Sequence, residues 1–167
     1  MNKIKLFLLL PLVAALAFSC SDDEEVIDVR AQAVGNYNYE FNTYYIDKGA
    51  LVPAGINDDG TFAVANDPAN ESGLIITEGT TKFTANKVTS ASNGFTFDIP
   101  AQSIKDDDGT TLNISGYNGA QLVTTGGSST LYNGVYITST KKFTFYFQVV
   151  DADTGITIVF ELEGTKK

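Results

Sequence analysis

The single cysteine of this 167-residue chain, Cys20, stands in LAFSCSDDEE, between an apolar run and four acids. A thiol at that position can be acylated on sulfur and so tie the chain to lipid. Elsewhere the chemistry thins. There is no histidine, which removes the commonest general base, the Ser-His and Cys-His nucleophile pairs and the usual zinc ligands. Glu161 and Glu163 form the one pair of carboxylates on a single strand face, their Cα atoms roughly 7 Å apart. They stand opposite the apolar Ile156, Ile158 and Phe160, and read as a solvated face rather than an acid–base pair. Asp151, Asp153 and Gly155 in DADTG have the spacing that opens a calcium loop. Leu162 occupies the place of the bidentate glutamate, so the stretch reads as a hairpin turn first and a weak calcium candidate second. No glycine-rich phosphate loop opens a helix. Neither catalysis nor a cofactor is expected.

The cysteine needs something to deliver it to lipid, and the first nineteen residues suit that task. A short basic start, Met1 to Lys5, is followed by LFLLLPLVAALA, twelve uncharged residues at 6–17. A permanent span needs about 20 apolar residues, so this run fits the apolar part of a secretory signal peptide. Ala17 and Ser19 supply small residues three and one positions before Cys20. The segment AFSC resembles the relaxed lipobox of Bacteroidetes-type lipoproteins, with Phe18 in place of the commoner small residue. The following Ser21, Asp22, Asp23, Glu24 and Glu25 resemble the acidic surface-export signal of the same group. That resemblance implies removal of residues 1–19, acylation of Cys20, and a protein held by acyl chains (palmitate among them) on the exposed side of the outer membrane. Several chains anchor stably where one binds only marginally.

Removal of residues 1–19 takes away Lys3 and Lys5 and no acid, leaving nine basic residues against 20 acidic ones and a net charge of −11. Such a chain repels phosphate backbones, so nucleic acid is not an expected partner. The remaining 148 residues suit one domain and can bury roughly 70% of the extended chain's surface without a disulfide.

Residues 20–33 combine the lipidated cysteine with a charged segment lacking aromatics, and read as a tether. A short strand around Val26–Val29 is the most structure it suggests. From residue 34 to 167 the text alternates with period two, the pattern of half-buried strands. YNYEFNTYY sets Tyr37, Tyr39, Phe41, Thr43 and Tyr45 on one face. GFTFDI groups Phe95, Phe97 and Ile99. KFTFYFQV separates Phe143, Phe145, Phe147 and Val149 from Thr144, Tyr146 and Gln148. GITIVFELE sorts Ile156, Ile158, Phe160 and Leu162 from Thr157, Val159, Glu161 and Glu163. Weaker strands fit 61–65, 73–77, 81–89, 110–116, 120–124 and 130–138. Asn93-Gly94, Asn118-Gly119, Asn133-Gly134, Asp59-Gly60 and Asp108-Gly109 read as tight turns, because these pairs tolerate positive φ. The result is an all-β antiparallel meander of about eight to ten strands, closing into a barrel, with a sandwich as the alternative.

VGNYNYEF, ASNGFTFDIPAQ and the closing YNGVYITSTKKFTFYFQV and IVFELEGTKK resemble the small barrels of lipocalin-like, calycin-like lipoproteins. The resemblance implies a barrel with an apolar cavity and carries over no catalytic residue. Mouths of β-barrels commonly take small molecules. Tyr37, Tyr39, Tyr45 and Tyr136 are therefore the candidates to contact a small apolar or amphipathic ligand, while most other rings pack the core. The alternative is a non-catalytic structural module that binds carbohydrate or protein.

Overall fold

Alternation becomes strand nearly everywhere it is strong. The computed structural model describes residues 28–106, 108–123, 129–151 and 154–167; the expected signal peptide at 1–19, Cys20, Ser21 and the acids at 22–25 lie outside them. The strands are β1 (Gly35–Asp47), β2 (Ala50–Asn66), β3 (Leu74–Glu78), β4 (Thr81–Ala91), β5 (Gly94–Asp98) and β6 (Gln102–Lys105). They continue as β7 (Thr111–Gly116), β8 (Ala120–Val123), β9 (Ser129–Tyr132), β10 (Gly134–Ile137), β11 (Lys142–Val150) and β12 (Thr157–Lys166).

Eight strands close an uneven antiparallel ring in the order β10-β5-β4-β3-β2-β1-β12-β11, with β11 returning to β10. The first five are a plain meander. The chain then leaves the ring for two hairpins, β6–β7 and β8–β9, before β10 rejoins it. One edge of β11 serves both paths. Its Lys142–Phe145 half pairs with β10, and Phe147–Val149 pairs with Ile114–Gly116 of β7. The β8–β9 hairpin lies outside the ring, with Ala120 and Leu122 packed against Val135, Ile137 and Tyr146.

The fork in β11 leaves a seam between β4 and β6, and a side chain fills it. Thr84 N–H donates to Gln102 Oε1 at 2.8 Å, and Gln102 Nε2 donates back to Thr84 O at 2.8 Å, so one amide imitates a ladder pair. Thr81 Oγ1 donates to Lys105 O at 2.9 Å farther along the same seam. Gln102→Glu keeps the acceptor but aims a second oxygen at the Thr84 carbonyl. It is expected to cost about 1–2 kcal/mol in urea unfolding, and an unchanged midpoint would show that the amide does not hold the seam.

The ring is filled with aromatic side chains. Tyr37 stacks on Phe62 with centroids 4.9 Å apart, and Phe97 stacks on Phe143 at 4.8 Å. Phe62, Phe145, Phe83, Phe147 and Phe160 continue the contact chain along the axis. Phe143, Phe145 and Phe147 are all buried, as the alternation in β11 requires. Tyr146 on the other face is also half-buried, because the β8–β9 hairpin covers it.

Several expected turns are something else. Asp59-Gly60 lies inside β2, opposite Glu40 and Tyr39. Gly60 is there because a Cβ would come within 2.8 Å of the Tyr39 ring. The β1–β2 turn is instead Lys48-Gly49, with φ of 49° and 83°, the positive values of a primed hairpin turn. The upper part of β2 holds a bulge, since Asn42 pairs with Asn57 but Tyr44 pairs with Pro53. Pro53 is tolerated because β3 pairs only with Phe62–Asn66, leaving that stretch of β2 as an edge. Asn133-Gly134 is not a hairpin turn either, since β9 and β10 do not pair with one another. Asn118-Gly119 links β7 to β8, which likewise are not ladder partners. Asn93-Gly94 and Asp108-Gly109 do sit in hairpin connections, β4–β5 and β6–β7.

The folded domain also starts earlier than residue 34. Val29–Gln32 form a 3₁₀ turn rather than a strand or loose tether, and Asp28 caps it by accepting from Arg30 N–H. Arg30 Nη1 donates to the carbonyls of Asn70 and Gly73 at 2.9 and 3.1 Å. Ala33 is fully buried. The Arg30 guanidinium beside Asp28 holds that carboxyl below its ordinary range.

Candidate functional site

The 3₁₀ turn closes one end of the ring, and two of the four candidate tyrosines belong to that closure. Tyr37, fully buried, donates its hydroxyl to Ala33 O at 2.5 Å, and Tyr136 donates to Gln32 O at 2.9 Å. Burial pushes both hydroxyls above the usual phenol range, with Tyr136 adding to the effect on Tyr37. Both rings are core, at the closed end of the ring. Period two tells inward from outward, not height along the axis, so the alternation alone does not set these rings apart from residues near an opening.

The opposite end is open. There Phe41, Phe83, Ile104, Leu112, Phe147 and Phe160 wall a cavity of about 170 Å³, and Glu78, Thr81 and Asp106 supply its polar atoms. Each wall residue follows from strand register. Phe41 and Phe160 stack at 5.5 Å across β1 and β12, and Phe147 stacks on Phe160 at 5.0 Å. Leu112 and Ile104 come from the β6–β7 hairpin, which leans over this end because β11 forks. The volume is close to that of an apolar cavity that accepts one benzene ring. Tyr39 reaches the site indirectly. Its ring is buried below the cavity, and its hydroxyl donates to Glu78 Oε1 at 2.6 Å, fixing a carboxylate in the wall. None of Glu78, Phe160 or Leu112 stood out in the sequence as a ligand contact, since each is an ordinary strand residue until the ring closes.

Beyond the cavity the β1–β2 hairpin and the start of β12 project as an apolar strip. Tyr45, Ile56 and Ile156 are 42%, 61% and 52% exposed, and with Ile158 and Thr43 they line a groove of about 460 Å³. The Thr43 hydroxyl is buried under the bulge and makes no hydrogen bond. Tyr45 is thus the one candidate tyrosine open to a partner, but in this groove rather than in the cavity.

The outer-face carboxylates are not a free solvated pair. Glu161 Oε2 accepts from Tyr44 Oη at 2.7 Å and from Asn42 Nδ2 at 3.2 Å, while its Oε1 accepts from Tyr146 Oη. Burial, then the bond to Glu161, pushes the Tyr44 hydroxyl up to about 12. Tyr146 is raised by the same causes. Glu163 pairs with Lys142. Both carboxylates are spoken for by neighbours, in an arrangement that braces β1, β11 and β12. Asp151 caps its turn by accepting from Thr154 N–H at 2.8 Å. Asp153 lies outside the described residues, and among those described no three Asp, Glu, His or Cys side chains converge as metal ligands.

No family model, curated protein or solved structure matches this chain. Its function has to be argued from its own geometry.

Proposed function

We propose that this protein is a non-enzymatic, lipid-anchored binding protein of the outer-membrane surface, taking a small apolar or amphipathic molecule at the open end of its ring. The observation that carries the reading is the apolar cavity of about 170 Å³ at that end of an otherwise aromatic-filled interior. Apolar concavities with a few fixed polar groups are the usual form of small-molecule sites. The resemblance of the strands to lipocalin-like lipoproteins points the same way. The cavity is small, so it takes a compact molecule whole or one end of a longer one.

The test is to fill the site. Leu112→Trp places an indole where the ligand would sit, at a half-buried position on the cavity wall. Binding of an environment-sensitive naphthalene probe is expected to fall by about tenfold or more, the effect of losing ~1.4 kcal/mol, while the urea midpoint stays put. Unchanged probe binding would remove the cavity from consideration.

The anchor rests on Cys20 and its signal. Cys20→Ala is expected to move the protein from the membrane fraction to the soluble one. Alanine at Asp22, Asp23, Glu24 and Glu25 should leave it lipidated but shielded from protease added to whole cells. Membrane retention of the Cys20 variant would defeat the anchor, and continued cleavage of the acid-less variant would defeat the export signal.

A second reading, an interaction module for a protein or carbohydrate partner, is favoured by the exposed strip of Tyr45, Ile56 and Ile156. Loss of a partner on Ile56→Asp with cavity binding intact would select it.

A further inference from the structure

The lining of the cavity is asymmetric in charge. Its apolar wall meets two carboxylates, Glu78 and Asp106, and among the described residues no basic side chain lines it. Glu78 is held in place, since its Oε1 accepts the hydroxyl of the buried Tyr39 at 2.6 Å. Its Oε2 accepts from no donor among the described residues. Thr81, the third polar residue, already has its hydroxyl on the Lys105 carbonyl. A carboxylate held by one oxygen in the wall of an apolar cavity is suited to receive a donor that carries positive charge.

We infer that the ligand is a cationic amphiphile: a protonated amine on a compact apolar body of about six carbons. The apolar body fills the space between Phe41, Phe147, Phe160 and Leu112. The ammonium, with three donors and no acceptor, meets Glu78 Oε2, with Asp106 adding to the negative field. Charge-assisted hydrogen bonds are roughly twice as strong as neutral ones, so the head group, not the apolar body, sets the selectivity. A carboxylate head would face like charge in a low-dielectric site and be rejected. The overall surplus of acid residues works in the same direction over longer range.

This inference rests on the proposed binding site, and a matched ligand series separates the two. Hexylamine, hexanol and hexanoate share one apolar body and differ in the head group. Each is titrated calorimetrically into the folded domain at pH 7, where the amine is protonated. Hexylamine is expected to bind at least about tenfold more tightly than hexanol, with hexanoate weakest. Glu78→Gln keeps an acceptor for Tyr39 Oη but removes the charge, so on the variant hexylamine should bind no more tightly than hexanol. Circular dichroism on the variant confirms that the fold is kept. Equal binding of amine and alcohol, or a preference for amine that survives Glu78→Gln, overturns the cationic head group while leaving the site standing. Failure of all three to bind overturns the site and the inference with it.

Discussion

Phe145→Ala is expected to destabilise the domain by about 3–5 kcal/mol, the usual cost of truncating a fully buried phenylalanine. Phe145 is wholly inaccessible and contacts Phe62, Phe83, Phe143 and Phe147. It stands midway between the closed end and the cavity at the open end, so the void cannot be filled from solvent. For a domain of ordinary stability this is a large share of 5–15 kcal/mol. The neighbouring Tyr146 provides the contrast. Alternation alone makes it an outward residue that tolerates serine, but its ring lies beneath the β8–β9 hairpin and its hydroxyl bonds Glu161. Tyr146→Ser should therefore cost about 2 kcal/mol, from lost burial and a lost charge-assisted bond. Urea melts of both variants give the comparison. Equal losses would mean that the two faces of β11 are equally packed and that the ring interior is not the dominant core.

Gly134→Ala is expected to cost about 1–3 kcal/mol through overpacking alone. A Cβ at Gly134 would lie 2.1 Å from the ring of Phe97, which cannot withdraw because it is stacked on Phe143. The prediction has a second part. Phe97→Leu vacates the ring edge that the methyl would strike, so in the double variant the alanine should cost less than it does alone. A double-mutant cycle measures that coupling directly. Strictly additive losses would place the strain elsewhere than at Phe97.

The comparison of Gly134 with its expected role shows what a single sequence carries and what it does not. Asn-Gly is a sound hairpin signal, and Asn93-Gly94 obeys it. At 133–134 the same pair serves a different need. Asn133 Oδ1 accepts from Ile99 N–H, Asn133 Nδ2 donates to Asn118 Oδ1, and Gly134 makes room for Phe97. Nothing local distinguishes the two uses. The faces of β5 and β11 were legible because their phenylalanines alternate without interruption. By contrast, β1 and β12 followed the alternation only in part: Tyr45 and Ile156, on the expected inner faces, are exposed, and Val159, on the expected outer face, is fully buried. The upper half of β2 was not legible. Pro53, Gly55 and Asp58-Asp59-Gly60 all argue locally for a break, and only the long ladder to β1 overrides them. The 3₁₀ turn at Val29–Gln32 was hidden for a related reason, since its order comes from Arg30 reaching carbonyls forty residues away. The cavity was the least legible feature. Its lining is assembled by ring closure and by the fork in β11, and no short motif records either.

The docked 3₁₀ turn sets the length of the leash that the proposed anchor would use. The first docked residue, Asp28, lies at the closed end, and seven residues, 21–27, separate it from the proposed lipid anchor at Cys20. The eight steps from Cys20 to Asp28 reach about 28 Å at most when fully extended. The hairpin β1–β2 runs from that closed end to its tip at Lys48-Gly49, and the 13 residues of β1 alone measure about 43 Å. A leash shorter than the body it holds cannot let that body turn upside down. With Cys20 in the bilayer, the domain can stand or lie on the membrane, but its open end cannot be pressed face-down into it. Under the proposed anchoring, a molecule that enters the cavity would come from the surrounding medium rather than from the membrane.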